Sequence, residues 1–418
     1  MSAGPEEKPD ETSSRILIVG QHFWPEAFRV NDIADFFIEH GFEVDVLCGM
    51  PNYPQGTFFP GYSNFGPWKE VHNAINIFRV PEIPRKSNTS LRIFLNYISY
   101  PITSLFRVPK LAKNHYDHIF IYQLSPVMMS IAGIAIGKLS KTETTMYVLD
   151  PWPENPYSVI SVHSRWLRWI AKRLSHFHYK NVDKLAVLTE KMYQHFLAIT
   201  DLDVSRIAII PQTSEQVYEI PVHDTSLHER FGGNFNILYA GNISPAQSFE
   251  TILATAQELK QQGIRDVHWI IVGDGMSRSW LEDQVVSLGL SDSFTFEGHQ
   301  PIEFIPKYTE LADVLVGCLA SSEFLDATIP AKVVSYLAAG KPIVLAMNGE
   351  VSSLINDTIQ CGFVGPAENS SHLTQNLMRV YRLSPIEREL LGNAAKKYHK
   401  DFLSREIILD RLLDFILH

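Results

Sequence analysis

An α/β chain of two doubly wound parallel sheets is what this sequence predicts, and three observations carry that expectation. The 418 residues exceed what one compact core holds, so two domains of about 200 residues each follow. Short apolar runs rich in β-branched and aromatic residues recur along the chain, the pattern of parallel strands covered on both faces. Amphipathic stretches of helical period separate these runs, in two consecutive series.

In the first series, Arg15 to Gly20 reads as a buried strand and Asn31 to His40 as a helix; Gly41 and the strand Glu43 to Leu47 then complete a βαβ opening. Further strands are expected at His118 to Tyr122, Thr145 to Leu149 and Lys184 to Leu188. The second series runs through Asn234 to Ala240, Val267 to Val272, Phe294 to Glu297, Asp313 to Val316 and Ile343 to Ala346. A polar, proline-containing stretch from Asp201 to Pro221 places the boundary there, with domains over 15–205 and 206–400. Pro385 to His418 reads as helical throughout, and its far end, 401–418, is placed to cross back onto the first domain. Residues 1–14 are polar and acidic without an apolar centre, which predicts a disordered tail and not a signal peptide.

Composition narrows the class. Hydrophobic residues make up 45% and charged residues 20%, as in a globular protein. The three cysteines, Cys48, Cys318 and Cys361, are widely spaced, so neither a disulfide framework nor a thiolate metal site is supported, and a cytoplasmic setting fits. No run of eighteen apolar residues is present to span a bilayer. The net charge of −10 is unevenly placed: residues 1–205 hold 20 basic and 20 acidic side chains, against 16 and 26 in the remainder. Two basic islands with interleaved aromatics stand in the first half. Ile83 to Asn114 holds Arg85, Lys86, Arg92, Arg107, Lys110 and Lys113 and no acid, and Asn155 to Val182 holds Arg165, Arg168, Lys172, Arg173 and Lys180. Such stretches suit either a helix lying on an anionic membrane surface or a packing helix with a solvated cationic face.

Ligands of open parallel sheets bind beyond the carboxyl ends of the strands, so the loops after strands are where chemistry is sought. Three such loops stand out in the second half: Gly241-Asn242-Ile243-Ser244-Pro245-Ala246-Gln247-Ser248, Val272-Gly273-Asp274-Gly275, and the segment leading into Pro330-Ala331-Lys332. The glycines permit close backbone approach to a ligand, and the amides of Asn242 and Gln247 can donate to phosphate or sugar oxygens. Pro330 suits the first helical position, and the unpaired N–H groups of that turn together with Lys332 would attract a phosphate. Alone, that segment also fits an ordinary crossover helix with a solvated lysine; three loops converging make a nucleotide diphosphate site. In the first half, Trp24-Pro25-Glu26, Pro51-Asn52-Tyr53 and Asp150-Pro151-Trp152-Pro153-Glu154 follow strands. Carboxylates flanked by prolines and tryptophans suit a site for sugar hydroxyls, while Glu26 and Glu154 equally suit helix N-termini. His22 stands alone and reads as structural.

These phrases in this order, from the Gly-Asn-Ile loop through Val-Gly-Asp-Gly to Ile-Pro-Ala-Lys and Ser-Tyr-Leu-Ala-Ala-Gly-Lys-Pro, resemble the retaining glycosyltransferases of family 4, which have the GT-B fold. Phe23-Trp24-Pro25-Glu26 with Asn31, Pro51-Asn52-Tyr53-Pro54 and Asp150 to Glu154 are similar to its WbuB-like subgroup, which builds bacterial surface polysaccharides such as O-antigen. The resemblance implies two Rossmann-like domains facing a central cleft, with acceptor contacts at Trp24, Glu26, Asn31, Asn52 and Trp152. It implies donor contacts at Gly241, Asn242, Gln247, Gly273, Asp274, Gly275, Asp326, Pro330 and Ser335, and a reaction carried by Lys332, Asp150 and Glu154. There are departures. Asn242 and Gln247 stand where the family carries an arginine and a lysine on the diphosphate, and Ala327 and Ser335 where it carries two glutamates, with Asp326 the nearest acid. They read as a donor preference.

The expected activity is therefore transfer of a sugar, an N-acetylated amino sugar on UDP by the same resemblance, to an acceptor hydroxyl without a metal or other cofactor. The basic aromatic islands add a lipid-linked glycan acceptor at the inner face of the plasma membrane, and nothing points to nucleic acid. A guanine base stays open, as do two rival activities of the same architecture, nucleotide-sugar epimerisation and non-catalytic sugar-nucleotide binding.

Overall fold

The computed structural model describes residues 14–53, 55–86, 90–153, 165–219, 222–322 and 325–418. Residues 1–13 of the predicted tail, Glu154 and part of the second basic island lie outside them. The chain divides into two compact units, the first formed by Met1–Val187, Tyr193–Ile209 and Arg411–His418 and the second by Leu188–Met192 and Ile210–Asp410.

The first unit is an eight-stranded sheet of β1 (Arg15–Val19), β2 (Glu43–Gly49), β3 (Lys69–His72), β4 (Ile75–Val80), β5 (His118–Gln123), β6 (Glu143–Val148), β7 (Lys184–Val187) and β8 (Ile207–Ile209). Their order is β3-β4-β2-β1-β5-β6-β7-β8, parallel except for the β3–β4 hairpin at one edge. Its helices are α1 (Arg29–Glu39), α2 (Ser90–Leu105), α3 (Val108–Leu111), α4 (Ile131–Ser140), α5 (Arg165–Tyr179) and α6 (Glu190–Ile199). Helix α1 shows why the pattern is legible: Val30, Ile33, Ala34, Phe36 and Phe37 form one buried stripe at helical spacing.

The second unit has six parallel strands, β9 (Phe235–Ala240), β10 (Val267–Val272), β11 (Phe294–Gly298), β12 (Val314–Cys318), β13 (Ile343–Ala346) and β14 (Gly362–Gly365). Their order is β11-β10-β9-β12-β13-β14. Around them run α7 (Thr225–Phe231), α8 (Phe249–Gln261), α9 (Arg278–Ser287), α10 (Ile305–Leu311), α11 (Ala331–Ala339), α12 (Glu350–Ser353), α13 (Ser370–Arg382) and α14 (Pro385–Tyr398), while α15 (Arg405–Leu417) begins in this unit and from Arg411 on belongs to the first. The order reverses between β9 and β12, and that switch point opens a crevice at the strands' carboxyl ends. Buried Ile237, Trp269, Ile271, Phe294 and Val316 belong to one apolar core, and each such side chain contributes about 1.5–3 kcal/mol.

The structure differs from the sequence reading in three places. β3 and β4 were not anticipated, nor were the edge strands β8 and β14. The closing segment is helical as read but not continuous: a π-helical turn over His399–Leu403 and the extended Ser404 lie between α14 and α15. Pro330 is the cap of α11, extended at φ −60° and ψ 139°, and not its first helical residue.

Candidate active site

In the second unit, the loops after β9, β10 and β12 are stitched into one surface by backbone hydrogen bonds. Gly241 N–H donates to the Val272 carbonyl (2.9 Å), Ile243 to Asp274 (2.9 Å), Ser277 to Ile243 (3.0 Å) and Ala320 to Ala246 (2.9 Å). The two glycines after β10 serve this contact. A Cβ on Gly273 would lie 1.9 Å from the Gly241 carbonyl oxygen, and one on Gly275 2.2 Å from that of Ile243. The space they leave on the Cβ side is filled by the neighbouring loop. Asp274 is exposed and caps its own loop, accepting from Gly275 N–H at 2.7 Å and facing Arg278 at 3.6 Å.

Lys332 lies where these loops meet. Its Nζ donates to the Tyr239 hydroxyl at 2.6 Å and to the side-chain oxygen of Gln247, and it sits 4.1 Å from the Tyr239 ring centroid. The Tyr239 hydroxyl in turn donates to the Asn242 carbonyl at 2.6 Å. A Cβ on Gly241 would come within 3.2 Å of Nζ, so this glycine leaves room for the ammonium. With no carboxylate among its described partners, enclosure pushes the Lys332 pKa down to about 7. Gln247, where the resemblance places a lysine, is thus an acceptor for Lys332. A second cation there would have faced the first.

Helix α11 rises beneath this group without a side-chain cap; the Pro330 carbonyl accepts from Val333 N–H at 2.8 Å. The N–H groups of Ala331 and Lys332 have no acceptor within the helix, and the dipole end points the same way. Tyr336, one turn on, plugs the switch point: its hydroxyl receives Ala240 N–H at 2.9 Å and contacts the carbonyls of Ala240 and Val316 at 3.3 and 3.1 Å. Gly340 ends the helix in the left-handed conformation at φ 68°. Ser335 turns its hydroxyl to Glu215 at 2.7 Å, so a carboxylate from the loop after β8 reaches the place where the resemblance puts a glutamate. Asp326 does not join Lys332 among the described contacts; Asn348 holds its carboxylate at 3.4 Å.

In the first unit, the ends of β1, β2 and β4 enclose a buried polar cluster. Glu26 is 2% exposed and accepts from the backbone N–H of Asn52 (2.7 Å) and Tyr53 (2.6 Å) and faces His22 Nδ1 at 2.9 Å. It therefore does not cap α1, whose cap is Phe28, and ties two loops together. His22, stacked on Phe28 at 4.7 Å, is structural. Asn31 is structural as well, bridging Trp24 N–H and the Glu26 carbonyl at 2.9 and 2.7 Å. Trp24 stacks on His72 with centroids 3.9 Å apart. Asn52 donates to the Met50 carbonyl at 2.9 Å and to Glu82, a residue the sequence reading passed over. Burial first, and the charge of Glu26 second, push the Glu82 carboxyl up to about 8.

Asp150, at the end of β6, accepts from Ser125 N–H at 3.2 Å, and burial raises its pKa. Trp152 donates its backbone N–H to the Tyr179 hydroxyl at 2.9 Å, while its indole N–H is buried without an acceptor among the described residues. The structure thus gathers Gly241, Gln247 and Lys332, with Tyr239 and Tyr336 unanticipated because they stood as apolar positions of β9 and α11. Glu26, Asn31 and Asn52 come together with Glu82 as a loop scaffold.

Known proteins resemble this chain in sequence and in fold. Residues 227–398 match the family of glycosyl transferases group 1. The putative colanic acid biosynthesis glycosyl transferase WcaI of Escherichia coli (strain K12) is 23% identical over 346 residues, 78% of this chain and 81% of that protein. The 2-deoxystreptamine N-acetyl-D-glucosaminyltransferase of Niallia circulans is 23% identical over 77% of this chain and 79% of its own. Among solved structures, Anabaena HepE in complex with UDP and glucose superimposes with a TM-score of 0.68 at 14% identity, covering 96% of this chain and 98% of its own. Sucrose-phosphate synthase from Thermosynechococcus elongatus gives 0.74 at 14% identity, with the same coverage. The fold is GT-B, and the family match and relatives support a glycosyltransferase of that type.

Proposed function

We propose that the protein is a retaining, metal-independent glycosyltransferase that moves an N-acetylated amino sugar from UDP to an acceptor hydroxyl in bacterial surface polysaccharide synthesis. The observation that carries this reading is Lys332, held by Tyr239 and Gln247 above the uncapped start of α11. Departure of a nucleotide diphosphate develops negative charge on its β-phosphate oxygen. A lysine with no carboxylate partner among the described residues and a row of N–H groups are preorganised donors for that charge, which is the role a metal would otherwise fill. Retention, carried over from the family resemblance, lets the departing phosphate take the acceptor proton, so no protein nucleophile is required. Asp150, whose pKa burial raises, is assigned to the acceptor hydroxyl.

Support for the sugar comes from the Niallia relative, an N-acetyl-D-glucosaminyltransferase, and for the base from the UDP bound by Anabaena HepE. Support for polysaccharide synthesis comes from the colanic acid relative. Family 4 and its WbuB-like subgroup remain the placement we favour. The test has two arms. UDP-N-acetylhexosamines should raise the melting temperature more than GDP- or dTDP-sugars, and Lys332→Ala should lower kcat by roughly 10²-fold with the fold retained. Near-parent turnover by Lys332→Ala would remove Lys332 from the reaction. Activity should survive EDTA; its loss on chelation and return with Mg²⁺ or Mn²⁺ would overturn the leaving-group account.

A further inference from the structure

Two histidines and a glutamate meet in the second unit, at the end of the sheet away from Lys332. His223 precedes α7, His228 lies within it, and Glu310 stands in the last turn of α10, just before β12 begins; the two helices pack on each other. Glu310 Oε2 is 2.6 Å from His228 Nε2 and 3.6 Å from His223 Nδ1. The imidazole rings face each other with centroids 4.5 Å apart and planes inclined by 31°, and the three donor atoms all lie within 4.8 Å of one another.

We propose that these three residues form a binding site for a divalent transition metal ion, Zn²⁺ being the ion their chemistry suits. Two imidazoles and one carboxylate match the softness of zinc, whereas magnesium and calcium prefer oxygen alone. Zinc bonds of ~2.0–2.2 Å in a tetrahedron separate neighbouring donor atoms by about 3.3 Å. The His223–Glu310 separation of 3.6 Å is already near that value, and the others need only side-chain rotation of half-exposed groups. Exposures of 64% for His223, 37% for His228 and 38% for Glu310 leave the ion a way in and room for a water as fourth ligand. The nearby lysines donate elsewhere. Lys307 is paired with Asp224 at 3.1 Å, and Lys341 donates to the Glu310 backbone carbonyl and not to its carboxylate.

Binding exchanges the His228–Glu310 hydrogen bond for two metal bonds. In the bound state His228 carries its proton on Nδ1 and His223 on Nε2, leaving the other ring nitrogen of each to the metal. The ion would clip α7 to α10, the helices that lead into the adjacent strands β9 and β12.

The test uses the untagged full chain, freed of metal by chelation and titrated with ZnCl₂ by calorimetry and by thermal melting. One equivalent should bind and raise the melting temperature, with MgCl₂ giving neither effect. His228→Ala and Glu310→Gln should each weaken zinc binding tenfold or more, since losing even an outer partner of a metal ligand costs roughly that much. His223→Ala, at an exposed position outside any helix, serves where those variants fail to fold, and should weaken binding likewise. Absence of saturable binding by the parent, or binding that none of the three variants weakens, would overturn the site and leave a hydrogen-bonded His-Glu-His cluster.

Discussion

Burial drives two side chains of opposite type, Lys332 and Glu82, toward their neutral forms, the first down to about 7 and the second up to about 8. For Lys332 this leaves the ammonium to be stabilised by an incoming diphosphate, the reverse of a surface lysine already paired. For Glu82 it makes the carboxyl a hydrogen-bond donor at neutral pH, and an acceptor stands ready: the buried side-chain oxygen of Gln21 lacks a partner among the described residues, while the Gln21 amide nitrogen lies 3.4 Å from Glu82. A carboxyl whose folded pKa exceeds its ordinary 4.5 stabilises fully below that value, and the contribution is lost as pH rises through about 8. Glu82→Gln, neutral at every pH, should therefore match the parent near pH 5 and exceed it in stability at pH 8.5. Urea unfolding across that range decides. A variant weaker by the same amount at all pH values would mean that Glu82 is ionised and held only as an acceptor. None of this was legible in the sequence, because Glu82 follows β4, a strand whose own signal was missing.

That missing signal has a local cause. The β3–β4 turn uses Asn73 and Ala74 at φ 49° and 64°, positions where an Asn-Gly pair would have announced a hairpin. β3 alternates exposed and half-buried residues at the sheet edge, and β14 has two glycines among four residues, so neither presents the apolar run by which the central strands were read. Runs such as Phe235 to Ala240 and Ile343 to Ala346 were legible because strands covered on both faces admit little else. The glycine loops were legible as loops, but a sequence does not show that the neighbour at Gly273 is the Gly241 carbonyl. Gly273→Ala should accordingly cost more than the ~1 kcal/mol of a positive φ alone, and should weaken donor binding by displacing the Gly241 loop. Gly263→Ala, also at positive φ (79°) but with nothing within 4 Å of the new Cβ, is the control. Equal destabilisation by the two in chemical unfolding would show that conformational strain, and not the contact between the loops, sets the requirement.

At the scale of the whole molecule, the excess negative charge of the second half contrasts with a first unit that carries cations and exposed rings together. On α2 and just after it, Leu91, Phe94, Ile102, Leu105 and Phe106 are exposed, and on α5 so are Trp166, Trp169 and Phe177. Both helices pack on the same turn, Val127–Ser130, so within the first unit these residues belong to neighbouring elements. The same two segments carry Arg92, Arg107, Lys110 and Lys113, and Arg165, Arg168, Lys172 and Arg173, with Arg173 over the Trp169 ring at 5.8 Å. A packing helix would have buried its tryptophans; these are 67% and 59% exposed, which favours the membrane reading over the packing one. No helix among the described residues is long and apolar enough to cross a bilayer, so attachment would be by the surface. Each cation near an anionic surface contributes about 1 kcal/mol, enough in combination to hold a chain of net charge −10, with an attraction that fades as salt rises. Co-sedimentation with phosphatidylglycerol vesicles should therefore capture the protein at low salt and release it at high salt. The fourfold variant Arg165→Glu, Arg168→Glu, Lys172→Glu and Arg173→Glu should remain in solution while keeping turnover on a water-soluble acceptor. Equal binding by variant and parent, or none by either, would return α5 to an ordinary solvated face and remove the physical argument for a lipid-linked acceptor, leaving the donor chemistry at Lys332 untouched.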